Sequence, residues 1–89
     1  MFKLKVSLFE MYGDKANKCL KGFDTHMKRC NVKFNRMGTT TYYWGDPRDL
    51  EGALFHQHQF LGNPQGWPTE YGTLRPAIRD FIANFAESV

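Results

Sequence analysis

DKANKCLKGFDTHMKRC, residues Asp14 to Cys30, decides the fold class, because its apolar and basic side chains separate at helical spacing. At ~100° per residue, Ala16, Cys19, Leu20, Phe23, Met27 and Cys30 fall within one arc of roughly 100°, and Lys18, Lys21, Lys28 and Arg29 lie opposite. Asp14 stands where an N-cap carboxylate would accept the first orphan N–H groups, and the cations of Lys28 and Arg29 suit the last turn. The spacing predicts one helix over 14–30 whose apolar stripe must pack on another element.

The flanking segments supply that element. Upstream, Phe2 to Phe9 alternates, with Phe2, Leu4, Val6 and Leu8 on one side and Lys3, Lys5, Ser7 and Phe9 on the other, the period-two pattern of a half-buried strand. Downstream, residues 32–37 read as a second strand, Gly38 as a turn, and 39–44 as a third strand dense in β-branched and aromatic residues. With a short turn, Val32, Phe34, Thr41 and Tyr43 face the core while Lys33, Asn35, Tyr42 and Trp44 face away; a slip of one residue would invert the set.

Asp46-Pro47-Arg48-Asp49 is a helix start, with an N-cap carboxylate, Pro at the first helical position and an acid at the third. This second helix runs to about Leu61 on a stripe of Leu50, Ala53, Leu54, Phe60 and Leu61, leaving Phe55 and His56 outside it. A Gly/Pro-rich loop follows over 62–72, anchored by Trp67 and Tyr71. Thr73 then caps a last helix, with Pro76 in its first turn and Leu74, Ala77, Ile78, Phe81, Ile82 and Phe85 as its core face. The expected fold is α+β: a single domain over 1–89, with a small three-stranded sheet in β-α-β-β-α-α order and helices packed on one face. A right-handed crossover sets the first strand parallel to a strand of the hairpin. The sequence leaves undecided whether the second sheet face is open or covered, the Trp67 segment being the candidate cover.

Composition fits one folded domain: of 89 residues, 42% are hydrophobic and 16% aromatic, enough for one small core. No apolar run approaches the ~20 residues of a membrane span, and the N-terminus lacks a signal-like apolar run, so a cytoplasmic location and no membrane partner are expected. If both cysteines lie on one helix, their backbones are roughly 16 Å apart, too far for a disulfide. The net charge is +3, unevenly spread: residues 1–45 hold nine Lys and Arg against three acids, and residues 46–89 hold three against six. A basic first half points to an acidic macromolecule as partner.

No metal or cofactor is expected. On a helix His56 and His58 point about 200° apart, so they cannot share one ion, and there is no Gly-rich phosphate loop, nucleophile elbow or paired Cys-x-x-Cys. Three functions are then ranked. The first is a small non-enzymatic binding protein that regulates or inhibits a macromolecular partner, protein more than nucleic acid, by occupying its surface. Its contacts are the electrostatic row Lys18, Lys21, Lys28 and Arg29 and the aromatics Phe9, Tyr42, Trp44 and Phe55. In size and in lacking a catalytic set the chain resembles the small accessory proteins that phages and mobile elements encode against host machinery, a resemblance that assigns no residues. The alternative is a single-stranded nucleic-acid-binding module using Lys3, Lys5, Lys33 and Asn35 with Phe9, Tyr42 and Trp44 on that sheet face if it is open. A small nuclease or phosphodiesterase comes third, because no acid-base pair has a telling spacing. The sequence leaves a homo-oligomer open.

Overall fold

The computed structural model describes residues 1–17 and 20–89. In order, these form β1 (Phe2–Ser7), α1 (Leu8–Tyr12), a 3-10 turn (Gly13–Asn17), α2 (Leu20–Met27), β2 (Lys33–Met37), β3 (Thr40–Gly45), α3 (Pro47–Leu61), α4 (Tyr71–Phe85) and β4 (Glu87–Ser88).

The first strand alternates as expected, with Leu4 and Val6 buried and Lys5 exposed, but it stops at Ser7. Ser7-Leu8-Phe9-Glu10 has the spacing of a capping box, and the Ser7 hydroxyl accepts the Glu10 N–H at 3.3 Å, which starts α1. Leu8 still enters the core, whereas Phe9 leaves the strand pattern and stands 54% exposed on the helix.

The single helix expected over 14–30 is divided. Gly13, at φ +63°, takes the chain out of α1 in a conformation that only glycine adopts without strain, and the 3-10 turn follows before α2. α2 ends at Met27, so Cys30 lies beyond it, and Cys19 and Lys18 are outside the described residues. The apolar face survives the division: Ala16, Phe23 and Met27 are fully buried, with Leu20 and Cys30 packed at its margin.

The sheet has four strands in the order β2-β3-β1-β4, not three. β4 adds Glu87 and Ser88 beside Lys3 and Phe2, a segment too short to carry any periodicity. β3 runs antiparallel to both β1 and β2, so β1 and β2 point the same way and β3 separates them. The hairpin closes at Met37 and Thr40 over a two-residue turn in which Gly38 takes φ +63°. Its register is the expected one. Leu4, Tyr43 and Phe34 form one inner row across the strands, and Lys3, Trp44 and Lys33 an outer one.

α3 begins at Pro47 as expected, although the Asp46 side chain makes no capping bond. Its buried stripe is Leu50, Ala53, Leu54, Gln57, His58 and Leu61, at i, i+3, i+4, i+7, i+8 and i+11. Phe60, expected there, is 37% exposed instead. α4 starts two residues before Thr73, which places Pro76 inside the helix. It buries Leu74, Ile78 and Ile82, while Phe85 at its end is 60% exposed. α2, α3 and α4 cover the inner face: Phe23 meets Phe34 edge-on with ring centroids 6.0 Å apart, and Gln57 bonds Tyr43.

Candidate nucleic-acid interface

Period two in three adjacent strands puts Lys33, Asn35 and Met37 of β2, Thr40, Tyr42 and Trp44 of β3, and Lys3, Lys5 and Ser7 of β1 on the outer face. The centre of that face is a pair of rings. Tyr42 and Trp44, two residues apart on β3, lie near-parallel at 27° with centroids 6.2 Å apart. Lysines from both neighbouring strands lean over them: Lys3 Nζ is 5.1 Å from the Tyr42 centroid and 5.8 Å from that of Trp44, and Lys33 Nζ is 5.3 Å from Trp44. Each such contact is worth about 0.5–1 kcal/mol at an exposed site. Lys5 and Asn35 continue the polar surround in register with Tyr42, and both are exposed. Glu87, beside Lys3 on β4, is the acidic limit of the face.

The other predicted site residues are dispersed. Lys21, Lys28 and Arg29 are exposed on and just after α2, which packs on the inner side of the sheet, so they belong to a separate surface; Lys18 is outside the described residues. Phe9 projects from α1 rather than from the sheet. Phe55 is half-buried, packed on the core and edge-on to Tyr71 at 5.3 Å, and is therefore part of the α3–α4 contact. Of the four predicted aromatics Phe9, Tyr42, Trp44 and Phe55, the structure thus pairs Tyr42 with Trp44. Arg36 is also committed, on the inner side: its Nε and Nη2 donate to both Asp24 carboxylate oxygens, at 2.6 and 2.7 Å, and its Nη1 donates to the Gly38 carbonyl.

Sequence reasoning missed the buried polar chain beneath the sheet. The Tyr43 hydroxyl donates to Gln57 Oε1 at 2.5 Å, Gln57 Nε2 donates to the Tyr12 hydroxyl at 2.8 Å, and the Tyr12 proton is left for His58 Nδ1. The direction of this chain fixes His58 as the neutral tautomer protonated on Nε2, an atom with no hydrogen-bond partner. Burial pushes the His58 pKa down to about 4 and both tyrosine hydroxyls well above the phenol range. Helical spacing from Leu50 passes through Gln57 and His58; their polarity hid a signal that was present. His26 and His56 also come together, with ring centroids 5.7 Å apart, but among the described residues no group of three His, Cys, Asp or Glu could hold a metal ion. Among the same residues, no helix is long and apolar enough to cross a membrane.

The chain matches no family model, no curated protein and no solved structure.

Proposed function

We propose that the chain is a non-enzymatic binding protein that takes single-stranded nucleic acid on the outer face of its sheet. The observation that carries this reading is the Tyr42–Trp44 pair set among Lys3, Lys5 and Lys33. Stacking a base on an aromatic side chain is worth about 1–3 kcal/mol, more than the lysine contact it displaces, and a displaced ammonium is released to a phosphate. Asn35 adds amide donors and an acceptor in the same row as Lys5 and Tyr42. A flat strand face takes flexible single strands, whose bases turn outward, better than a closed duplex.

Regulation of a protein partner by surface occupation, ranked first from sequence, keeps one specific support: the exposed Lys21, Lys28 and Arg29 surface, distinct from the sheet face. The half-buried Phe55 and the helical Phe9 remove the wider aromatic patch that favoured it. Fluorescence anisotropy with short single- and double-stranded DNA and RNA across a salt series separates the two. Three lysines on the face predict a slope of log K against log salt of about −2 for single strands. Absence of binding at low salt would transfer the function to the α2 surface and a protein partner.

A further inference from the structure

On the helical side of the molecule, away from the sheet's outer face, α3, α4 and the start of β1 border an open-sided pocket of about 500 Å³. Its polar wall is unusual in composition: Arg48, Arg75 and Arg79 against Glu51 alone. Glu51 holds two of the arginines by Nε, accepting from Arg75 at 3.1 Å and from Arg79 at 2.6 Å. The four Nη groups of those two guanidiniums make no hydrogen bond among the described residues. Arg75 is further fixed by stacking on Tyr71, 5.5 Å from its ring centroid. Arg48 takes part in no ion pair among the described residues. Burial opposes charge on Glu51, yet the hydrogen bonds from Arg79 and Arg75 hold its carboxyl below the usual range, so it remains an anchor and not a proton donor. Phe2, Ile82 and Ala83 supply the apolar part of the lining.

We infer that this pocket binds a small phosphate monoester carried on a flat ring. Three guanidiniums against one carboxylate leave two positive charges, which match the charge of about −1.5 to −2 on such a phosphate at neutral pH. Guanidinium forks fit phosphate oxygens in pairs, and here two forks are oriented before any ligand arrives, which lowers the ordering cost of binding. A ring then covers Phe2 and Ile82, and the volume is that of a pocket for one small organic molecule. A monocarboxylate supplies half the charge, and inorganic phosphate leaves the apolar lining wet.

The test is calorimetric titration of the intact chain with phenyl phosphate, with benzoate and inorganic phosphate as comparison probes. Saturable binding of phenyl phosphate, tighter than either comparison by about tenfold or more, is expected. Arg48→Gln should weaken it about fivefold or more without moving the melting temperature, because Arg48 makes no ion pair among the described residues. Ala83→Trp, at an exposed helical position, should fill the pocket and abolish binding; a melting curve checks that it folds, and Arg48→Gln carries the test if it does not. Phenyl phosphate should leave a single-stranded oligonucleotide bound to the sheet face, so this site and the nucleic-acid reading stand or fall separately. Phenyl phosphate that binds no tighter than inorganic phosphate, fails to saturate, ignores Arg48→Gln or displaces the oligonucleotide would overturn the inference.

Discussion

Tyr42 and Tyr43 are the same side chain at neighbouring positions of β3, and the structure uses opposite parts of them. Tyr43 is fully buried, its ring stacked on Phe34 and its hydroxyl donated to Gln57. Tyr42 keeps its ring at the surface beside Trp44, under Lys3. On the inner face the polar tip is consumed by the fold and the ring serves as packing. On the outer face the ring itself is what a ligand can use. Strand alternation therefore sorts two chemistries of one residue type, and the two faces should fail differently when altered.

The largest effect is expected from Gln57→Leu. It removes the acceptor of the buried Tyr43 hydroxyl, at up to ~3 kcal/mol for the one group left unsatisfied, and one of the two partners of the Tyr12 hydroxyl, whose proton His58 Nδ1 still accepts. Urea unfolding measures this loss; the folded fraction should keep its oligonucleotide affinity. A variant as stable as the parent would show that the buried chain does not hold the inner face together.

Acid comes next. His58 has a folded pKa near 4, below the unfolded value of 6.5, so the unfolded state takes up the proton first. Stability should thus fall as pH drops from about 6.5 to about 4, by about 3 kcal/mol in all, and this dependence should flatten below the folded pKa. Protonation at Nδ1 would also leave the Tyr12 hydroxyl proton without an acceptor. Unfolding titrations at several pH values check this, and His58→Gln should flatten the profile over the same window.

The outer face should respond in affinity, not in stability. Trp44→Ala is expected to lose about 1–3 kcal/mol of oligonucleotide binding, roughly 5- to 150-fold, while costing the fold less than burying it would imply. Loss of folding instead would mean that Trp44 serves the core. Smallest of all, Lys5→Ala should lower the magnitude of the salt slope by about 0.7 and weaken low-salt binding several-fold, with no change in melting temperature.

Much of the fold was legible because it rests on period. The strand alternation placed Leu4, Val6, Thr41 and Tyr43 inside and Lys3, Lys33 and Trp44 outside, and the hairpin register followed from a single short turn. Boundaries were lost where local chemistry overrides period. Ser7 caps a helix inside an apparently continuous strand, Gly13 at positive φ ends that helix, and the apparently continuous helix over 14–30 starts as a 3-10 turn and stops as α2 at Met27. β4 depends on where α4 ends beside β1, a tertiary fact that two residues cannot encode. In the candidate site, Tyr42 and Trp44 could be read as outward-facing, but that Lys3 and Lys33 reach them from strands on both sides required β3 to lie between β1 and β2. Gln57 and His58 were missed for another reason. A burial stripe was assumed to be apolar, whereas this one buries two polar residues that satisfy two tyrosines.

The most direct measurement uses the intrinsic fluorescence of Trp44. With Trp67, which packs against His58 in the core, replaced by phenylalanine, Trp44 is the remaining tryptophan. Titration with a short single-stranded oligonucleotide at low salt should then quench its emission saturably, along the same curve as the anisotropy of the labelled oligonucleotide, and salt should reverse both. Anisotropy that saturates while Trp44 emission stays constant, or no binding by either signal, would contradict the assignment of the sheet's outer face as the nucleic-acid surface.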